Sequence, residues 1–285
     1  MNLRVAVIGS VNLDLVARVR AFPKPGETVT DAVLVRHPGG KGGNQALAAR
    51  RLGADVHLVA CVGDDASADE ALALAVREGV NLEHVQRLPG ASTGTAMIAV
   101  EASGENQIVV APGANRLFTP DRLVMPDCDV VIAQLEVPMD TLEAAARRHD
   151  GFFCLNAAPA RRVSEALLEN VDLLVVNEIE AEAIGPMMDR YGGWLAVTYG
   201  ASGSELMRNG DWVASSDAPR VDTIDTVGAG DAFTAALAIG LGSGLAPDAA
   251  MRRACAAGAL ATTREGAQAS PTLEELEQFL ARSGG

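Results

Sequence analysis

The sequence contains few aromatic residues and few cysteines. Aromatics make up 4% of its 285 residues while 48% are hydrophobic, so the core must be built mainly from Ala, Val, Leu and Ile. The four cysteines are far apart and form no CxxC pair; they are Cys61, Cys128, Cys154 and Cys255. This spacing argues against a zinc knuckle and against a disulfide framework. We expect buried free thiols, which suit a reducing compartment, and therefore a cytoplasmic protein.

Long hydrophobic runs and excess positive charge are also missing. No run approaches the roughly 20 apolar residues that cross a bilayer. The apolar start of the chain soon meets Asn12 and Asp14, which is unlike a signal peptide. The 23 Lys and Arg against 37 Asp and Glu give a formal net charge of −14, which disfavours nucleic-acid binding. Neither a membrane nor a nucleic acid is therefore an expected partner.

Short β-rich runs alternate with helical patterns along most of the chain. The predicted strands are 5–8, 56–61, 130–133, 152–155, 173–176 and 195–198, and the predicted helices are 44–52, 66–78, 139–149, 163–168, 179–189, 232–241, 247–263 and 273–281. This alternation predicts an α/β fold of three layers, with helices on both faces of a mostly parallel central sheet. No linker or repeat divides the sequence, so we expect one domain over residues 1–285.

Two segments interrupt the alternation, residues 11–36 and 92–111. Both are rich in Val and Thr, carry turn signals and have few helix signals. We interpret them as the strands of a small second sheet that forms a lid over the active site; the alternative is a plain extension of the main sheet. A lid sheet would have one face poorly covered by its own chain, so a homodimer formed through this sheet is expected.

The stretch DTVGAGD at 225–231 lies directly before an apolar run that predicts a helix. The start of a helix offers unpaired N–H groups and the positive end of the helix dipole, which attract phosphate. Gly228 and Gly230 allow that backbone to approach a ligand closely. Asp231 would repel a phosphate unless it serves as a base for an attacking hydroxyl. The alternative is that Asp231 only caps the helix.

Two further motifs indicate a polar ligand. Asn12 and Asp14 follow the first strand at alternate positions, so both side chains can face one side and bind sugar hydroxyls. Four glycines then surround Lys41 in GGKGGNQA at 39–46, where Asn44 could cap a helix or bind a sugar hydroxyl. Lys41 is followed by Gly42, so this is not a Walker A loop. An ordinary turn and a flexible loop are the alternatives.

Taken together, the motifs resemble the ribokinase-like (PfkB-type) family of sugar kinases. The matching stretches, in order, are GSVNLD (9–14), FPKPGET (22–28), GGKGGNQA (39–46), QLE (134–136), LNAAPA (155–160), NEIE (177–180), VTYG (197–200), DTVGAGD (225–231) and REGAQ (264–268). They cover nearly the whole chain. The resemblance implies the ribokinase-like fold and a kinase that uses ATP.

The resemblance also implies roles for individual residues. The sugar would be held by Asn12, Asp14, Gly40, Lys41, Asn44, Glu136 and Asp231. Asp231 would be the catalytic base, and the backbone N–H groups of Gly228, Ala229 and Gly230 would form the anion hole for the transferred phosphoryl group. The nucleotide would contact Asn177, Thr198, Gly200, Gly203 and Cys255.

Two cations are implied as well. Glu180 would place Mg²⁺ through water; the alternative is that Asn177 and Glu180 only favour a helix start. A monovalent cation, K⁺, would lie beside the anion hole, held in part by backbone carbonyls. Its matching residues are Asp225, Val227, Ala261, Arg264, Gly266 and Ser270.

The implied reaction is ATP-dependent phosphorylation of the terminal hydroxymethyl of a small sugar, with D-ribose favoured by the stretches 22–28 and 39–46. Alternatives are a related kinase for fructose, a nucleoside or a keto-deoxy sugar acid, or a catalytically silent sugar- or nucleotide-binding regulator. The sequence departs from the family at 181–193, which is too short for the family's two helices. A surface helix is expected to be missing, and either a partner subunit or local repacking would cover the apolar surface beneath it.

Overall fold

A computed structural model describes residues 3–283, and a nine-stranded sheet runs through the centre of this part of the chain. From edge to edge its strands are β13 (Asp211–Ser216), β12 (Ser204–Arg208), β11 (Trp194–Thr198), β10 (Leu173–Asn177), β9 (Phe152–Asn156), β8 (Val130–Gln134), β1 (Arg4–Ile8), β4 (Asp55–Gly63) and β5 (Val85–Leu88). The pairs from β11 to β5 are parallel, and β12 and β13 add antiparallel partners at one edge.

Helices cover both faces of this sheet because its central strands are apolar on both sides. One face packs against α1 (Lys41–Arg51), α2 (Ala66–Arg77), α6 (Ala229–Gly242), α7 (Pro247–Ala261) and α8 (Leu273–Ser283). The other packs against α3 (Met139–Arg148), α4 (Glu165–Leu168) and α5 (Glu178–Ile184). The predicted three-layer α/β fold is confirmed. Within residues 3–283, every helix is too short or too polar to cross a membrane.

A second sheet of four strands stands apart from the first. Its order is β3 (Val33–Gly39), β2 (Asn12–Arg18), β6 (Gly94–Val100) and β7 (Asn106–Ala111), and only the central β2–β6 pair is parallel. These strands fall in the two segments for which the sequence predicts a separate sheet, except that β3 continues beyond residue 36 to Gly39. No strand is shared between the two sheets among the described residues, so a plain extension of the main sheet is the wrong interpretation.

The structure differs from the sequence-based predictions at the edges of the main sheet. Strands β5, β12 and β13, at the two ends of the sheet, are missing from the prediction because polar and exposed residues interrupt their apolar pattern. The predicted helix 179–189 is also too long. It ends at Ile184, because Gly185 adopts φ 66° and Pro186 cannot continue an α-helix; a short 3-10 helix follows over Gly185–Arg190.

The shortened segment after α5 repacks onto its own sheet. Ile184 and Tyr191 are buried against the second face of the sheet, and Met187 and Met188 pack beside them. The Tyr191 hydroxyl donates to the carbonyl of Val171 at 2.9 Å. A cavity of about 390 Å³ remains next to Tyr191. Of the two expected ways to cover this surface, the structure therefore adopts local repacking.

We predict that Tyr191→Ala lowers the free energy of unfolding by about 3–5 kcal/mol, because a large buried ring and its hydrogen bond are lost beside an existing cavity. The measurement is urea unfolding. Ile179→Ala is the control, since Ile179 lies on the neighbouring helix α5 with 70% of its surface exposed. A loss at Tyr191 no larger than that at Ile179 would contradict the repacking described here.

Candidate active site

The N-terminus of α6 has the shape expected of an anion-binding backbone. Gly228 is the N-cap and adopts φ 82°, and a Cβ there would lie 2.1 Å from the Ala267 carbonyl oxygen, so only glycine fits. Nothing lies within 4 Å of the place where a Cβ of Gly230 would stand. The N–H of Ala229 makes a long hydrogen bond of 3.3 Å to the Thr226 carbonyl, so it is less free to bind an anion. The helix start is therefore open on the Gly230 side, where an anion can approach.

Asp231 lies in the first turn of α6 but does not cap the helix. Its carboxylate makes no capping hydrogen bond; Oδ2 accepts from Asn44 Nδ2 at 2.9 Å, and Oδ1 accepts from Gln45 Nε2 at 2.8 Å. The residue is 6% exposed. The capping alternative is thus wrong, and the carboxylate is buried between the starts of α6 and α1.

The glycines at the start of α1 form a tight chain crossing and not a flexible loop. Gly40 adopts φ 82°, and a Cβ there would lie 2.7 Å from the backbone nitrogen of Asn12. A Cβ on Gly42 would lie 2.6 Å from the backbone of Gly9 and Ser10. This close approach places the start of α1, which carries Lys41 and Asn44, directly against the strand that leads to Asn12.

Further polar groups surround the same cleft. Glu136 accepts hydrogen bonds from the backbone N–H of Lys41 at 3.0 Å and from the Ser10 hydroxyl. Asp14 Oδ1 and Asn44 Oδ1 are buried and have no hydrogen-bond partner in the described part of the chain. Buried acceptors without partners are costly, so these atoms suit donors that a ligand brings. Sugar hydroxyls are such donors.

The charges in the cleft perturb one another. Burial, together with the nearby charge of Glu136, raises the pKa of Asp14 to about 6. Burial on its own would lower the pKa of Lys41, but the negative charges of Asp231, Glu136 and Glu180 outweigh it and raise that pKa. Burial also raises the pKa of Glu180. Lys41 is therefore a charged ammonium group among three carboxylates at neutral pH.

Asn12 is held by Asn115, which the sequence analysis missed. Asn115 is buried; its side chain accepts from the Val11 N–H at 2.9 Å and donates to the Val11 carbonyl at 3.2 Å and to Asn12 Oδ1 at 2.8 Å. A Cβ on Gly94 would lie 2.2 Å from both amide side chains, so glycine is required there. Because Asn12 Oδ1 is taken, its NH2 group is the part left for a ligand.

A cavity of about 590 Å³ opens beside the helix start of α6. Its lining includes four of the predicted nucleotide contacts, Thr198, Gly200, Gly203 and Cys255, together with Ala229 and Gly230. The thiol of Cys255 is buried 3.0 Å from the Ser204 hydroxyl, and burial raises its pKa. A largely apolar cavity of this size that ends on an open helix N-terminus suits a nucleotide.

Asn177 and Glu180 form a capping box at the start of α5. Asn177 Oδ1 accepts from the Glu180 N–H at 2.8 Å, and Glu180 Oε2 accepts from the Asn177 N–H at 2.8 Å. The two residues therefore do stabilise the start of a helix, as the alternative interpretation expects. Asn177 pairs in register with Thr198, so the box lies at the edge of the nucleotide cavity. Among residues 3–283, no group of three or more His, Cys, Asp or Glu side chains is placed to hold a metal ion.

The residues implied for a monovalent cation are only partly suited to one. The Asp225 carboxylate accepts hydrogen bonds from two other residues of this set, from the N–H of Val227 at 3.0 Å and from the N–H of Gly266 at 2.9 Å. The carbonyls of Val227, Arg264 and Gly266 accept no hydrogen bond from the described residues, so these oxygens fit a cation. Ser270 fits least, because the Arg51 guanidinium already donates to its carbonyl at 2.9 Å. Ala261 lies at the end of α7.

Sequence reasoning gave no role to four polar residues around Asp231 and Glu136. They are Ser10, Gln45, Gln134 and Asn156, all buried. Three of them stand at or just beyond the carboxyl end of an apolar strand, where a polar residue in a buried position is the available signal. Gln45 lies within the glycine-rich motif and is distinguished only by its contacts.

Comparisons with known proteins show which family this chain is similar to. The family model described as pfkB family carbohydrate kinase matches residues 2–274. A ribokinase of Bacillus subtilis is 36% identical over 97% of this chain and 99% of its own length, and a deoxyribokinase of Salmonella typhi is 34% identical over 97% and 98%. The structure of an Arabidopsis thaliana ribokinase complexed with ribose and ATP superposes with a TM-score of 0.86 at 28% identity, over 98% of this chain and 99% of that one.

The family model and a relative that is 36% identical both match nearly the whole chain, so the similarity is not limited to one motif. The chain belongs to the pfkB family of carbohydrate kinases.

Proposed function

We propose that the protein transfers the γ-phosphoryl group of ATP to the terminal hydroxymethyl of D-ribose, giving D-ribose 5-phosphate and ADP. The observation that carries this proposal is the position of the Asp231 carboxylate in the first turn of the helix whose open N-terminus borders the nucleotide-sized cavity. A proton acceptor and an anion-binding backbone thereby share one helix end.

In the proposed reaction, the hydroxyl oxygen of the sugar attacks the γ-phosphorus while the bond from that phosphorus to the β-phosphate oxygen breaks. The hydroxyl proton goes to the Asp231 carboxylate, and ADP leaves with the bond's electron pair. The N–H groups of Gly228, Ala229 and Gly230 stabilise the charge on the transferred group, aided by the dipole of α6. Ala229 contributes least, since its N–H also faces the Thr226 carbonyl at 3.3 Å.

The sugar is proposed to lie between the small sheet and the start of α1. Asp14 Oδ1 and Asn44 Oδ1 supply unpaired acceptors, and Asn12 supplies an NH2 group fixed by Asn115. A hydroxyl has one hydrogen, so it can donate to Asp14 while it accepts from Asn12. Gly40, Lys41 and Glu136 complete the set, and the small sheet acts as the lid that excludes water.

Two ions are proposed to assist. Mg²⁺, held through water by Glu180 near the ATP phosphates, would supply neutralisation of phosphate charge. K⁺ would be held by the oxygens of Asp225, Val227, Ala261, Arg264, Gly266 and Ser270, of which Ser270 fits least because of Arg51. Together with the N–H groups of α6, positive charge beside the anion hole would favour a bound phosphate.

A second substrate follows from the comparisons. The deoxyribokinase of Salmonella typhi is about as similar as the ribokinases, so 2-deoxy-D-ribose is a specific competitor to D-ribose. An ADP-release assay with D-ribose, 2-deoxy-D-ribose, D-fructose and a nucleoside at equal concentration separates the alternatives. The proposal requires the highest kcat/KM with D-ribose, and ATP turnover that no sugar stimulates would instead favour the regulator.

The expected effect of Asp231→Ala is a loss of roughly 10²–10⁴-fold in turnover, the range for removal of a general base. The sugar-dependent ADP release checks it. Asp248→Ala is the matched control, because Asp248 is also an acid in the first turn of a helix but is exposed on α7. Equal rates for the Asp231 variant and the native enzyme would refute the proposed base.

Asp14→Asn is expected to stabilise the fold while it weakens sugar binding. The pKa of Asp14 rises from 3.8 to about 6 on folding, so the ionised carboxylate is disfavoured in the native state. The free-energy cost of holding this carboxylate ionised in the folded state is fully present above pH 6 and absent below pH 4. Removing it should raise the free energy of unfolding by about 1–3 kcal/mol at pH 7.5, because two pKa units are about 3 kcal/mol in a fully dry site. Urea unfolding at pH 7.5 and at pH 4 measures it.

For this comparison Asp55→Asn is the control, since Asp55 is exposed at the start of β4. The Asp14 variant should show its gain only at pH 7.5, and its sugar KM should rise. A lower stability than native at pH 7.5, or a gain of the same size at pH 4, contradicts the buried-charge argument.

We also propose a cytoplasmic homodimer formed through the small sheet. The face that carries Asn12 and Asp14 continues into an apolar surface, because register places Val16, Val35, Ile98, Ile108 and Val110 on that same face. Ile108 and Val110 are 54% and 52% exposed. A second copy that brings the same surface would bury this face. The free cysteines suit a reducing cytoplasm.

Ile108→Glu should convert the dimer to a monomer at micromolar concentration, because a charge would be buried between the paired faces. Analytical ultracentrifugation gives the mass. Val76→Glu, on an exposed position of α2, should leave the dimer intact. A monomeric native protein, or a dimer that survives Ile108→Glu unchanged, counts against this interface.

A further inference from the structure

We propose that Gln45 is a positioning residue for the base: it fixes the Asp231 carboxylate through an amide network that also contains Gln134 and Asn156, so that Oδ2 is the oxygen that receives the proton. This inference rests on the proposed function and deepens it. Gln45 and Gln134 are 0% exposed and Asn156 is 7% exposed, so the network is sealed from solvent on the side away from the cleft.

The contacts form a connected set. Gln45 Nε2 donates to Asp231 Oδ1 at 2.8 Å and to Asn156 Oδ1 at 3.0 Å, which uses both hydrogens of its NH2 group. Its own Oε1 accepts from Gln134 Nε2 at 2.7 Å. Asn156 Nδ2 in turn donates to the carbonyl of Val175 at 3.3 Å. Every hydrogen-bonding group of the Gln45 side chain is therefore engaged.

The network can exist in only one orientation. The carbonyl of Val175 can only accept, so Asn156 must turn its NH2 group there and its oxygen towards Gln45. Gln45 must then present its NH2 group to both Asn156 and Asp231, whose Oδ1 accepts the hydrogen bond. Gln134 completes the set by donating to Gln45. A flip of any amide would place two acceptors or two donors face to face.

The two oxygens of Asp231 consequently have different surroundings. Oδ1 lies against Gln45, which has no exposed surface and cannot yield its place to a ligand. Oδ2 lies against Asn44, whose own Oδ1 is unpaired and which borders the proposed sugar site. A carboxylate oxygen can accept more than one hydrogen bond, so a sugar hydroxyl can join Asn44 at Oδ2. Gln45 thus keeps the reacting oxygen turned towards the cleft.

The backbone also accommodates this network. Gly9 lies beside Gln134, and a Cβ there would stand 2.0 Å from Gln134 Oε1. The three amides come from α1 and from the carboxyl ends of β8 and β9. Because β8 and β9 are central strands of the main sheet, the network ties the base on α6 to the core of the protein.

The experiment compares Gln45→Met with Gln134→Met. Both substitutions keep the approximate side-chain volume and remove amide hydrogen bonds at fully buried positions, but only Gln45 contacts Asp231. Gln45→Met should lower kcat roughly 10- to 100-fold, because misplacement of a catalytic group is costly. The sugar KM should stay within about twofold, because a change confined to the reacting oxygen acts on the transition state. Gln134→Met should lower kcat clearly less.

A double-mutant test separates positioning from general damage. In an Asp231→Asn background, Gln45→Met should cause no further loss of kcat, since the carboxylate that it positions is gone. If Gln45→Met does not fold, Gln45→Ser serves instead with the same expectations.

An unchanged kcat for a folded Gln45 variant, a rise in KM alone, or an equal loss for Gln134→Met overturns the inference. If Asp231→Asn itself is fully active, the proposed function fails; if it is inactive while Gln45→Met is fully active, only the inference fails.

Discussion

The hydrogen bonds from Asn44 and Gln45 to Asp231 are the contacts on which the rest of the site depends. They join the starts of two helices, α1 and α6, that arise from distant parts of the chain. A carboxylate that is 6% exposed needs such partners, because an unpaired buried charge would shift to its neutral form or destabilise the fold. The same contacts hold Asp231 next to the open end of α6, so burial and the proposed chemistry impose the same arrangement.

The proposed site divides anion binding from alcohol binding. The proposed sugar side carries Asp14, Glu136 and Asp231, and the last two act on the charge of Lys41. Phosphate is left to the backbone of α6, where Gly228 has no room for a side chain and Gly230 faces open space. An acidic cleft would repel a phosphate from the sugar side, whereas a neutral hydroxyl is attracted there. The division therefore favours a neutral sugar on one side and a nucleotide on the other.

The shortened segment after α5 lies at the opposite end of the sheet from this chemistry. Tyr191 covers the region where β10 and β11 begin, whereas Glu180 and Thr198 follow or end those strands. Tyr191 and two methionines thus cover this end of the sheet, away from the groups around Asp231. Methionine suits this task, because its flexible side chain fills irregular gaps.

The sequence alone determined the alternation that gives the main sheet, the separate small sheet and the motifs around Asp14, Lys41 and Asp231. These features are local: an apolar period, a glycine that allows positive φ, or a polar residue beside a helix start can be recognised in a short stretch. Only the tertiary structure decided that Asp231 is held by amides and does not cap its helix, that Asn115 orients Asn12, and that Gln134 and Asn156 fix Gln45. Those decisions depend on which distant side chains meet and in which direction each hydrogen bond runs, and no local pattern encodes that direction.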